Sequence, residues 1–240
     1  MITIVILNYK RPDNIRKQII PNLLSNKLIE NIIVSHALPE TYFEDFQEFS
    51  KVIHLKHFEE NKKDGLFCRF LAANLSKTKC IAFHDDDFLI KNNSIKNCYY
   101  EWMKNKTSIH GFTGRDISEN KYFPPNCHTN RPPIILTHFA MTSKFIINKV
   151  INKKNLIDSF VRDCIPIWNG EDIFLSFISM LVSGKLNFLH AFDFKKLDES
   201  YAIHKNEGHF KHRTLLVKKL FDVFPKIYDV LKINNYKELT

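Results

Sequence analysis

The sequence predicts an α/β protein built on a doubly wound, Rossmann-like sheet, and three observations carry this. Short, β-branched, nearly continuous apolar runs recur at residues 2–7, 31–35, 51–55 and 80–83, which is how strands buried on both faces of a parallel sheet read. Amphipathic, helix-compatible stretches lie between them at residues 14–24, 40–49 and 65–75, so strand and helix alternate. The chain has 240 residues, 44% apolar and 25% charged, enough for one domain with a sizeable core that needs neither disulfides nor structural metal.

Taken in order, Ile2-Thr3-Ile4-Val5-Ile6-Leu7 is apolar at all but one position and needs helices on both sides. The next three runs repeat the pattern, and ligands of such sheets bind beyond the carboxyl ends of the strands. Beyond Asp87 the pattern changes. A helix is expected over residues 94–103, with Asn93 or Ser94 as its cap. A strand-like stretch follows at residues 109–113. Pro124-Pro125 and Pro132-Pro133 break regular structure in residues 122–133, which read as a loop over the active face. Residues 171–182 are strongly helical, Gly184 is a good stop, and residues 186–189 read as a last short strand. A polar stretch, residues 193–211, precedes an amphipathic helix containing Leu215, Leu216, Leu220 and Phe221.

Charge and cysteine usage narrow the partners. The 35 basic and 26 acidic residues leave a net +9, which favours polyanions or phosphorylated small molecules without choosing between them. Five cysteines, Cys68, Cys80, Cys98, Cys127 and Cys164, are widely spaced with no CxxC pair, so reduced thiols in a cytoplasmic protein are the simpler reading. Met1 opens directly into the first apolar run without a basic leader, and no apolar run reaches the ~18 residues of a membrane span. There is no Walker A motif, no GxGxxG and no HExxH, which removes the kinase, nicotinamide-dehydrogenase and zincin classes.

Three constellations could carry chemistry. Asp85-Asp86-Asp87 follows the fourth buried run. Carboxylates crowded at one strand end repel unless a cation or donors neutralise them, and Mn²⁺ or Mg²⁺ held by one or two carboxylates plus substrate phosphate fits. Glu171-Asp172, after Trp168-Asn169-Gly170, opens a helix; acids there also simply suit the helix dipole. His204, His209, His212 and Arg213 form a basic cluster suited to a diphosphate, since guanidinium pairs well with phosphate oxygens. A solvated basic loop is the plain alternative. Arg11 and Arg69 sit where phosphate or base contacts are expected, while Cys68 and His84 read as packing residues.

Taken together, Asn8-Tyr9-Lys10-Arg11-Pro12-Asp13, the triple aspartate, Gly170-Glu171-Asp172-Ile173 and His209 to Arg213 resemble, in order along the chain, GT-A glycosyltransferases of the exostosin-like family. The resemblance implies a GT-A type mixed sheet with a C-terminal acceptor-side subregion. It implies one domain over residues 1–240, with a nucleotide-binding half at 1–90 and an acceptor-side half with a C-terminal lid and helix at 91–240. It implies transfer of N-acetylhexosamine or hexose from a UDP-sugar to a glycan or other hydroxyl acceptor, with Mn²⁺ (or Mg²⁺) and with retention; no nucleic-acid partner is expected. Asp87 would be the principal metal ligand, with Asp85 beside it and Asp85 and Asp86 toward the ribose. Arg11, Arg69 and His209 would hold the uridine diphosphate side. Asp172, beside Glu171, would act at the reacting sugar, and Arg213 would stabilise the departing diphosphate. The family's Arg/Asn-rich segment before Arg69 reads Asn61-Lys62-Lys63-Asp64-Gly65 here. The competing reading is a two-metal phosphodiesterase or nuclease using Asp85, Asp87 and Asp172.

Overall fold

The computed structural model describes residues 1–123, 127, 129–198, 200 and 207–236. Its strands, in chain order, are β1 (Ile2–Asn8), β2 (Ile29–His36), β3 (Val52–Lys56), β4 (Cys80–His84), β5 (Phe88–Ile90), β6 (His110–Gly111), β7 (Gly114–Ser118), β8 (Lys121–Phe123), β9 (Ile134–Ile135), β10 (Phe139–Ser143), β11 (Phe188–Leu189) and β12 (Phe194–Lys196). Seven of them form the central sheet in the order β11-β6-β10-β4-β1-β2-β3. β1 to β4 are mutually parallel, and β10 is antiparallel to both β4 and β6. The sheet is therefore mixed, as expected, and all seven residues of β1 are buried.

Alternation along the strands builds two cores. Ile2, Ile4 and Ile6 of β1 face one side, with Cys80 and Ala82 of β4. That side is closed by the helical run of residues 12–24 through Ile15, Ile19, Ile20 and Leu23, and by the helix Asn92–Lys104 through Ile95, Cys98 and Trp102. Val5, Ile81 and Phe83 face the other side, against the helices Cys68–Asn74, Lys144–Lys153, Glu171–Ser183, His209–Val223 and Lys226–Ile233. The first run carries a wider turn over Ile15–Ile19 before closing as Ile20–Leu24. Gly184 ends the Glu171–Ser183 helix in the left-handed conformation, its N–H bonding Met180 O.

Several expectations are corrected. Residues 40–49 do not form a helix: one 3-10 turn, Pro39–Thr41, is followed by turns. The aromatic spacing there imitates an amphipathic helix, but Phe46 takes φ 70, which ends any helix, and Phe43 is buried in the core with Phe46 packed partly against it. The strand expected at residues 109–113 shrinks to His110–Gly111, and β7 follows it. The stretch read as a Pro-rich loop begins as β8, pairing with β7; residues 124–126 and 128 lie outside the described residues. The helices Lys144–Lys153 and Asp158–Cys164 were not anticipated. The polar stretch 193–211 is partly tied down, since β12 pairs with β5 and the last long helix already starts at His209. Its residues 199 and 201–206, His204 included, lie outside the described residues.

Candidate active site

The strand order 3-2-1-4 places the switch in winding direction between β1 and β4, where a crevice opens beyond the carboxyl ends. Ile6 of β1 pairs with His84 of β4, so the turn carrying Arg11 and the turn carrying Asp85-Asp86-Asp87 lie side by side. Arg11 Nη2 is 2.7 Å from Asp86 Oδ1, and its Nη1 donates to Asp87 Oδ2 at 3.2 Å. Asn14, buried at the start of the 12–24 run, donates to Asp86 O at 2.9 Å and to Asp198 O at 3.1 Å.

Arg69, buried in the Cys68–Asn74 helix, donates to Asp85 Oδ1 at 2.9 Å. Its Nε lies 3.5 Å from Glu171 Oε1, too long for a good hydrogen bond, and has no other partner. One guanidinium thus stands between the acid triplet and the helix that begins at Glu171. The structure turns the two adjacent acids of that helix different ways but exposes neither: Glu171 faces Arg69, whereas Asp172 receives Arg213 Nη2 on both oxygens at 2.8 and 2.7 Å.

Arg213 is more than a counter-charge. Its Nη1 donates to Asn169 Oδ1 at 3.2 Å, its guanidinium lies 4.6 Å from the centroid of Tyr122, and Asn169 Nδ2 in turn meets His209 Nδ1 at 2.9 Å. The expected His209 to Arg213 pair therefore belongs to a chain ending on Asp172. Local backbone makes this possible. Trp168 takes φ 56 and Gly170 φ 138, and a Cβ on Gly170 would stand 2.4 Å from Leu216 Cδ2. At that φ only glycine is unstrained, whereas the Leu216 methyl could move aside.

Electrostatics follow from five buried or half-buried carboxylates facing three guanidiniums. Burial first, then repulsion from Asp87 and Asp85, pushes Asp86 up to about 7 despite Arg11 at 2.7 Å. Burial and Asp85 push Asp87 up to about 6 against the pull of Arg11. Burial, with Asp172 and Asp85, raises Glu171 to about 7. For Asp85 burial acts upward too, but Arg69, then His138, outweigh it and hold the carboxyl below its usual range. The surplus of two acids matches the charge of one divalent cation.

The atoms left over point the same way. Asp86 Oδ2 and Asp87 Oδ1 are buried without a hydrogen-bond partner, and so are Nε of Arg11, Arg69 and Arg213. Buried polar atoms without partners are rare and call for a ligand or an ion, here both a cation for the oxygens and an anion for the N–H groups. Asp86 and Asp87 thus fit a divalent ion that keeps open positions for phosphate oxygens. Among the described residues no group of three or more His, Cys, Asp or Glu is arranged to hold a metal alone. Asp85 and Asp172 are each taken by a different arginine, which is not the shared cage that the two-metal nuclease reading needs.

Sequence reasoning missed Asn14, Asn169, Tyr122 and His138. The His138 carbonyl accepts from the Asp85 N–H at 3.1 Å, and burial lowers its ring to about 4. Two asparagines, one tyrosine from an assumed loop and a lone histidine carry no spacing signal. His84 is buried, its Nδ1 on Asp85 O at 2.7 Å, and burial holds it at about 4. Burial pushes the Cys68 thiol up to about 12, in line with a packing role.

A mixed seven-stranded sheet in this order, with helices on both faces, is similar to the GT-A type of glycosyltransferase fold. The chain is similar to a solved structure of GalNAc-T7 with UDP, GalNAc and Mn²⁺, at TM-score 0.63 and 13% identity, over 97% of this chain and 50% of that chain. It spans about half the length of that relative, and at such identity the likeness establishes the fold alone. Residues 2–236 match the glycosyl transferase family 64 domain, and the chain belongs to that family. No curated protein matches the sequence. Membership in a glycosyltransferase family removes the nuclease alternative. No helix among the described residues is long and apolar enough to cross a membrane.

Proposed function

We propose that this chain transfers a hexose or N-acetylhexosamine from a UDP-sugar to a glycan or other hydroxyl acceptor, with retention of configuration and dependence on Mn²⁺ or Mg²⁺, in the manner of the exostosin-like transferases. The observation that carries the proposal is a set of buried unpartnered atoms in the linked site: carboxylate oxygens of Asp86 and Asp87 with Nε of Arg11, and Nε of Arg69 and Arg213 on the helices that hold Asp85 and Asp172. Such a set suits a metal diphosphate better than either ion alone. The GalNAc-T7 relative, solved with UDP, GalNAc and Mn²⁺, supports the same donor and metal.

In this reading residues 1–90 form the donor half and residues 91–240 the acceptor half of a single domain. Asp87 is the principal metal ligand, flanked by Asp85 and Asp86. A bound divalent ion supplies positive charge to the leaving diphosphate. Arg11, Arg69 and His209 bind and orient the diphosphate side, and Arg11 must then share its guanidinium between phosphate and the acids it now grips. Asp172, with its oxygens oriented by Arg213, sits at the reacting sugar, Glu171 backs it, and Arg213 meets the charge that develops on the departing diphosphate. Five cysteines without a disulfide suit the cytoplasmic setting proposed for the chain.

Thermal unfolding with UDP, with and without Mn²⁺, tests the proposal. A ligand at 100 times its dissociation constant adds ~2.7 kcal/mol, a rise of roughly 5–10 °C for a chain of this size. The rise is expected only with metal and is expected to vanish in Asp87→Asn. An equal rise without metal, or in Asp87→Asn, would overturn the metal assignment.

A further inference from the structure

A second cavity, of about 560 Å³, opens at the opposite end of the sheet. It lies at the amino ends of β1 and β4 beneath the Asn92–Lys104 helix, so the length of β4, five residues at about 3.3 Å each, separates it from the candidate active site. Its volume falls in the usual ~300–1,000 Å³ range of small-molecule sites. Tyr99, Trp102 and Met103 of the helix form an apolar side, with the Tyr99 and Trp102 rings stacked at 5.8 Å and 24°. Trp102 is 3% exposed, and its indole N–H is buried without an acceptor.

Charge defines the other side. Lys77 and Lys79, from the turn before β4, and Lys106, after the helix, line the mouth. None of the three makes an ion pair among the described residues, whereas nearby Lys104 is held by Glu101 at 2.6 Å. Glu30 is the one carboxylate among the lining residues, and with the Met1 ammonium, which donates to Tyr99 Oη at 3.0 Å, four ammonium groups face that one acid. A phosphate monoester carries ~1.5–2 negative charges at neutral pH, which the three unpaired lysines at the mouth can take up. A flat ring attached to it would meet the half-buried Tyr99, whose other side rests on Trp102.

We infer that this cavity is a binding site for a phosphate monoester bearing a planar aromatic ring, the chemistry of a nucleoside monophosphate, separate from the donor site and independent of metal. The lysines take the phosphate, and Tyr99, backed by the buried Trp102 and flanked by Met103, takes the ring. Titration calorimetry with AMP and UMP in EDTA, followed also by tryptophan fluorescence, tests it. Sub-millimolar binding with quenching is expected, unchanged in Asp87→Asn, at least 10-fold weaker in the exposed-surface variant Lys77→Ala/Lys79→Ala/Lys106→Ala, and at least 10-fold weaker for inorganic phosphate. Phosphate binding as tightly as AMP would overturn the role of the rings. Nucleotide binding unaffected by the triple substitution would overturn the site. Vesicles containing phosphatidylserine form the last arm: lysine-dependent vesicle binding without AMP binding would overturn the small-molecule reading in favour of a membrane contact.

Discussion

Among single residues, Asp86 has the most legible energetics. Its folded-state value of about 7 stands above the ordinary 3.8, so the native state holds the proton more tightly than the unfolded chain. The stability this lends is complete below pH ~4 and is lost as pH rises toward ~7. Asp86→Asn keeps an acceptor for Arg11 and is therefore expected to flatten the fall in metal-free stability between pH 4 and 7. At pH 8 it is expected to stabilise by on the order of 1–3 kcal/mol, read as a higher melting temperature in EDTA; equal melting curves for both proteins at pH 5 and pH 8 would refute this. Arg213 gives a contrasting case. Removing it leaves Asp172 buried and alone, which costs ~3–5 kcal/mol for a buried pair, so Arg213→Ala is expected to melt well below wild type. Arg213→Lys retains the charge on Asp172 but cannot also reach Asn169. Its transfer rate is expected to fall at least ~10-fold while UDP affinity changes less, as steady-state kinetics and calorimetry would report.

Between elements, contact is set by backbone that only glycine tolerates. Gly65 takes φ 51, and a Cβ there would lie 2.0 Å from the carbonyl oxygen of Ile167. Ile167 and Trp168 themselves take φ 50 and 56, so two strained turns meet, one leading into the helix of Arg69 and the other into the helix of Asp172. Gly184 takes φ 65 but has open space around it. Gly184→Ala is therefore expected to cost about 1 kcal/mol from conformation alone. Gly65→Ala forces backbone apart and is expected to cost at least ~3 kcal/mol, with loss of donor binding because Arg69 and Glu171 move relative to each other. Denaturant titration of the two variants checks the difference, and equal costs would mean that the Gly65 contact relaxes freely.

For the molecule as a whole, the far end of the chain is tied back over the small β8-β7-β9 sheet. Tyr236 OH donates to Asp116 Oδ1 at 3.2 Å and accepts from the Ile117 N–H at 2.9 Å. Since β8 carries Tyr122, this anchor buttresses the sheet on which Arg213 rests. Tyr236→Phe is expected to destabilise by about 1–2 kcal/mol in urea while leaving metal-dependent UDP affinity within twofold; a larger change in affinity than in stability would show that the anchor positions the site directly.

Much of the sheet was legible because burial on both faces demands unbroken apolar runs, and β1 to β4 have them. The acid triplet was legible because three adjacent carboxylates after such a run are costly without a partner, and the Glu171–Ser183 helix because apolar residues repeat along it up to a glycine stop. The helix expected over residues 40–49 failed because periodicity records where apolar side chains fall and not the left-handed φ of Phe46. The partners within the site were not legible. Arg11 meets Asp86 and Asp87, Arg69 stands between Asp85 and Glu171, and Arg213 holds Asp172, pairs separated by 16 to 102 residues along the chain. Sequence alone determined β1 to β4 and which acids had to be neutralised. Tertiary structure alone decided which guanidinium neutralises which, because a buried charge is matched by whatever the packing of distant elements brings within about 3 Å.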